Sequence, residues 1–165
     1  MRVNKECPSL INKKFPLDLS NEKVPILVVE DDPDFLDLLS MEISQITGTR
    51  LTVANSCEAA VDKLIHGKFQ LVVCDWALAS RTGPEVFLLA DPLMMLDRSA
   101  KIPVMFMSGS EKVGPTHNLR SLKHFEPVTF ILKDLGAAMI RIMAENILQR
   151  FNQHHQDEAP YAYLS

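Results

Sequence analysis

The feature that most constrains this chain is an alternation. Short, mostly apolar runs recur between longer stretches whose apolar residues keep helical spacing. The runs are "PILVVE" (25–30), "RLTVA" (50–54), "FQLVVC" (69–74), "IPVMFM" (102–107) and "VTFIL" (128–132). Each has the length of a strand. At least four lack the polar alternation of a strand with one wet face, so they are expected to be covered on both faces. Such strands, separated by helices, define a parallel sheet with helices on each side, the doubly wound α/β class.

The intervening segments read as five helices. Asp32 is placed to cap one over 32–48, with Pro33 in its first turn and Gly48 as its stop. Phe35, Leu38, Leu39, Ile43 and Ile46 form its inward face. Ser56 and Gly67 bracket a second helix over 56–67. The third, over 84–99, contains Pro92, and proline inside a helix costs ~3 kcal/mol. A break is therefore expected, with Asp91 capping a second short helix. A fourth helix is expected over 116–125 and a fifth over 135–151. The inward residues of the fifth are Met139, Ile142, Met143, Ile147 and Phe151.

Composition narrows the function classes. A chain of 165 residues suits one domain that buries roughly 70% of its unfolded surface. A net charge of −4 argues against a nucleic-acid-binding face. No apolar run approaches the ~20 residues that span a bilayer. The first 23 residues lack the apolar stretch of a signal peptide, so a cytoplasmic chain with no membrane association is expected. Cys7, Cys57 and Cys74 lack metal-ligand spacing and read as reduced thiols, with Cys74 in the core. Residues 1–23, broken by Pro8 and Pro16, read as a flexible extension, 24–152 as the domain and 153–165 as a tail.

Right-handed crossovers put the C-terminal ends of all parallel strands on one edge, where ligands of such sheets bind. Glu30 and Asp31 close the first strand, Asp75 the third, Ser108 the fourth and Lys133 the fifth. Three carboxylates that converge repel one another unless some are protonated or a cation sits among them. Oxygen ligands of this kind suit Mg²⁺. An aspartate beside Mg²⁺ can attack phosphorus and form an aspartyl phosphate, and a lysine and a hydroxyl can then serve the phosphoryl oxygens.

This constellation resembles the receiver domain of two-component response regulators, in its stand-alone, chemotaxis-regulator-like form. The resemblance covers about residues 24–152 and rests on "ILVVEDDPDF", "LVVCDWALASRTG", "IPVMFMSG" and "FILKD", in that order. It implies a flavodoxin-like sheet of strand order 2-1-3-4-5. It also implies Mg²⁺ held by Glu30, Asp31, Asp75 and the backbone carbonyl of Ala77, with Asp75 as phospho-acceptor. Lys133 is implied as the phosphate-reading lysine, Ser108 as the switch hydroxyl, Phe130 as the switch aromatic, and Gly83 as the loop glycine. Two positions depart from the pattern: Asp134 stands where the family has a cis proline, and Ala79 where it has a loop proline. A trans bond is expected before Asp134.

The implied function is a phospho-accepting signalling receiver that catalyses only its own phosphorylation and dephosphorylation. A histidine kinase or histidine phosphotransfer protein would be the donor. A downstream protein would read a switched face, and a homodimer through helix 4, strand 5 and helix 5 is possible. Only about 14 residues follow the fifth helix, so no DNA-binding output is expected. The alternative is a degenerate receiver that binds proteins without being phosphorylated. An aspartate-nucleophile phosphatase of the haloacid-dehalogenase kind needs a second aspartate two residues after the first. Ala77 stands there and speaks against it.

Overall fold

The computed structural model describes residues 23–95, 101–110 and 117–157, with backbone alone at 117–118 and 152–157. Residues 1–22 of the expected extension and 158–165 of the expected tail lie outside these residues, and the last helix runs on to Asp157, into the span expected as tail. Five parallel strands form one sheet in the order 2-1-3-4-5. They are β1 (Val24–Val29), β2 (Thr49–Ala54), β3 (Leu71–Asp75), β4 (Ile102–Ser108) and β5 (Phe125–Leu132). The four α-helices are α1 (Pro33–Ile43), α2 (Cys57–His66), α3 (Gly83–Ala90) and α4 (Ala137–Asp157).

Successive residues of the inner strands point to opposite faces, and each face carries its own core. Leu27 and Val29 of β1, Val72 and Cys74 of β3, and Val104 and Phe106 of β4 pack with α2 and α3. Ile26 and Val28, Leu71 and Val73, and Met105 and Met107 pack with α1 and α4 on the other side. This double burial explains why the inner strands read as continuous apolar runs.

The helix starts follow their caps. Asp32 accepts from the N–H groups of Asp34 and Phe35 at 3.0 Å, and the Ser56 hydroxyl accepts from Ala59 N–H at 3.2 Å. Several boundaries and faces differ from expectation. The first helix ends at Ile43, not near Gly48, and Leu38 is exposed. Gly48 instead turns the chain into β2 with φ +76°. The expected fourth helix is a 3₁₀ helix over His117–Ser121, so the described residues hold four α-helices where five were expected. His124, just after it, is buried.

The chain breaks near Pro92 as expected: α3 gives way to a 3₁₀ turn over Asp91–Leu93. Asp91 does not cap a following helix. Its carboxylate accepts from Lys123 N–H at 3.0 Å and His124 N–H at 2.7 Å, and faces His124 Nδ1 at 3.1 Å. The last helix begins two residues later than expected and is rotated: Ala137, Ile140, Ala144, Ile147 and Leu148 are inward, whereas Met139 and Ile142 are exposed. A pair of small alanines lets this face lie close to the sheet, and the longer side chains turn outward.

A bulge shifts the register of β5. Val104 pairs with Pro127 but Met105 pairs with Thr129, which leaves Val128 as the extra residue. A bulge resets the alternation of faces beyond it. As a result Phe130 pairs with Phe106 and stacks on it, with centroids 5.2 Å apart and planes at 22°.

Candidate functional site

The C-terminal ends of β1, β3 and β5 bring four charged side chains together. Glu30 follows β1 and is wholly buried, and Asp75 ends β3 and is 4% exposed. The Lys133 ammonium lies 2.6 Å from Asp75 Oδ2 and 2.6 Å from Glu30 Oε2. The contact to Asp75 is a hydrogen bond. Glu30 Oε2 has ion-pair proximity to Lys133 but no aligned hydrogen bond. Burial pushes the Glu30 carboxyl up and Lys133 opposes the rise. Burial also acts to lower Lys133, but the close contacts and charges of Asp75 and Glu30 prevail and hold it above the usual lysine value. Lys133 further lies over the ring of Phe35, 4.9 Å from its centroid.

Asp31 completes the acid cluster. One carboxylate oxygen from each of Glu30, Asp31 and Asp75 lies within 4.8 Å of the others. The second oxygen of Asp75, Oδ1, accepts from Ala77 N–H at 3.2 Å. Asp31 Oδ2 accepts from Ala79 N–H at 2.8 Å, across 48 residues. Hard oxygen donors, one of them buried without a hydrogen bond, fit a divalent cation such as Mg²⁺.

The loop after β3 is built tightly around Asp75. Trp76 N–H donates to the Met107 carbonyl at 2.7 Å, and Gly83 N–H to the Trp76 carbonyl at 2.8 Å. A Cβ on Gly83 would collide with the Asp75 carbonyl oxygen, so this glycine is needed for close approach. Trp76 packs on Phe106 (centroids 5.3 Å apart) and Phe130 (5.1 Å).

Two expected site residues stand apart from the charged cluster. Ser108 ends β4 beside Asp75's strand, but its hydroxyl donates to the Ser110 carbonyl at 2.7 Å and accepts from Ser110 N–H at 3.1 Å. Phe130 lies on the aromatic stack and is 37% exposed. It also lines an open groove of about 500 Å³ along β5 with Lys101, Arg120 and Glu126. Asp134 lies in a 3₁₀ turn over Lys133–Leu135 that Gly136 ends at φ +86°. The peptide before it is trans, as expected. The roles of Phe35 and Ala79 were missed by sequence reasoning. Phe35 carried no signal beyond helical spacing. Ala79 carried one: a residue other than proline keeps its N–H.

Five parallel strands in this order, with acids and a lysine at their C-terminal ends, define a sheet that works at one edge. Residues 26–145 match the response regulator receiver domain, and the chain belongs to that family. It is thus a signalling domain of two-component systems rather than a conventional enzyme. No curated protein matches the sequence.

Solved structures share the fold. One is the N-terminal domain of a response regulator/sensory box/GGDEF 3-domain protein from Carboxydothermus hydrogenoformans, at TM-score 0.62 and 20% identity, covering 79% of this chain and 98% of that one. Another is a CheY-like receiver domain protein from Methanospirillum hungatei, at TM-score 0.62 and 19% identity, covering 80% and 98%. A third is the BeF3-activated DrrB receiver domain, at TM-score 0.55 and 20% identity, covering 78% and 99%. No helix among the described residues is long and apolar enough to cross a membrane.

Proposed function

We propose that this domain accepts a phosphoryl group on Asp75 from a phosphohistidine of a kinase or phosphotransfer protein. The observation that carries the reading is the approach of Lys133 Nζ to both Asp75 and Glu30 at 2.6 Å, beside an Asp31 oxygen within 4.8 Å of theirs. Glu30, Asp31 and Asp75, with the Ala77 carbonyl, would hold Mg²⁺, which supplies charge neutralisation for the incoming phosphoryl oxygens. Asp75 attacks phosphorus, and the bond to the donor imidazole breaks. Lys133 exchanges its carboxylate contact for a phosphoryl oxygen. Ser108 leaves Ser110 and donates to another, at the end of the adjacent strand.

The added charge, about −1.5 to −2, biases the Trp76–Phe106–Phe130 stack between two packings. The groove along β5 is then the surface that a downstream protein, or a second copy, reads. The composition supports a cytoplasmic setting and a protein, not DNA, as the target.

The test uses Trp76. With Mg²⁺, acetyl phosphate or beryllofluoride should change its fluorescence, and Asp75→Asn should remove the response while the fold persists. A second reading has its own support. Lys133 pairs with both buried acids, and Ala79 holds Asp31, so each acid has a partner within the protein without phosphorylation. A folded chain that takes up no phosphoryl group from acetyl phosphate or a phosphohistidine donor would favour that reading, a protein-binding module.

A further inference from the structure

A long-range backbone donor reaches a carboxylate of the acid cluster from the loop after β3, where Ala79 N–H meets Asp31 Oδ2 at 2.8 Å. The donor is held by a frame that does not depend on Asp31. Ala77 and Thr82 form an antiparallel bridge, and Leu78 N–H donates to the Arg81 carbonyl at 2.9 Å. The Leu78 side chain is buried in the core. Glu85 ties the loop's far end by accepting from Thr82 N–H at 2.7 Å.

Asp31 needs such a hold. It is the only acid of the three with substantial exposure, and it faces two buried carboxylates of like charge. Left alone, its side chain would turn toward solvent. A carboxylate has about four lone-pair sites, so one bond from Ala79 leaves capacity for a cation. Ligating carboxylates held by an outer hydrogen bond keep their orientation, and loss of such partners costs about 10–100-fold in metal affinity.

We propose that the Ala79 backbone N–H positions Asp31, so that residue 79 sets the divalent-cation affinity of the Glu30–Asp31–Asp75 cluster. The proposal rests on the cation-site reading above. Ala79→Pro removes the N–H, and Ala79→Gly keeps it. Mg²⁺ titration, followed by Trp76 fluorescence and by calorimetry, should show about tenfold weaker binding or worse for Ala79→Pro. Ala79→Gly should stay close to wild type. In an Asp31→Ala background, Ala79→Pro should have no further effect, because the acceptor is already gone.

If the proline variant does not fold, lactate at position 79 replaces N–H with an ester oxygen and leaves φ unconstrained. Wild-type affinity in Ala79→Pro, or in the ester, would overturn this inference alone. A wild-type chain that takes up no Mg²⁺ would overturn the cation-site reading, and this inference with it.

Discussion

Lys133 is the residue on which the resting site depends. It pairs with a wholly buried glutamate and a nearly buried aspartate at 2.6 Å each, in a setting where an unpaired charge is costly. Lys133→Met should destabilise the metal-free domain by about 3 kcal/mol, measured by urea denaturation. The same change should tighten Mg²⁺ binding, since the competing ammonium is gone, and added Mg²⁺ should recover part of the lost stability. The pH dependence has a definite sign. A lysine raised in the folded state contributes stability that is complete below the unfolded value of about 10.4. That contribution is lost as pH climbs through the higher folded value. Wild type should therefore lose stability above about pH 10.4 more steeply than Lys133→Met, and equal slopes would contradict the assignment.

Much of this site was legible before any coordinates. A parallel sheet places its strand ends on one edge, so Glu30, Asp31, Asp75 and Lys133 had to converge. The partner of Ser108 was not legible, because a hydroxyl at a strand end can turn to its own chain or across the sheet, and the choice depends on the local turn. Nor was the clamp on Asp31, since a backbone donor on a loop leaves no mark in side-chain identity.

At the scale of elements, the segments with strong local signals appear where expected. Asp32 and Ser56 start their helices because a side-chain oxygen satisfies otherwise open N–H groups. The ends and faces drifted where tertiary packing decides. Met139 and Ile142 fit an inward stripe on spacing alone, but the alanine-bearing face one residue away packs closer. Pro92 signalled a break, yet no local rule pointed from Asp91 to His124, 33 residues on. That contact ties the end of α3 to the approach into β5. Its carboxylate serves two backbone N–H groups and faces a nearly buried histidine, whose Nδ1 must be the protonated nitrogen there, since a carboxylate only accepts. Asp91→Ala should cost about 2–3 kcal/mol by stranding these donors. It should act on stability and leave Mg²⁺ affinity unchanged; a shift in the Mg²⁺ titration without a shift in the denaturation midpoint would contradict this role.

Across the whole molecule, the sheet divides into a protected centre and two edges. β1, β3 and β4 are flanked by strands and covered on both faces, whereas β2 and β5 each have one edge with no strand beside it among the described residues. Hydrogen exchange should find the slowest amides in β1, β3 and β4, opening only with global unfolding, and faster exchange in β2 and β5. Amides of β5 as slow as those of β4 would show that its edge is covered in solution.

The Lys133 contact also carries a consequence for how the chain is made. Its partner Asp75 precedes it by 58 residues, and Glu30 comes earlier still. At roughly 5–20 residues per second, several seconds of synthesis separate the acids from their ammonium. Through that interval the nascent β1 and β3 carry clustered negative charge, which works against their early pairing. The chain settles this edge only once its fifth strand has emerged, so a ribosome that stalls before residue 133 leaves the acids unpaired. Readiness of the site and completion of the sheet arrive as one event.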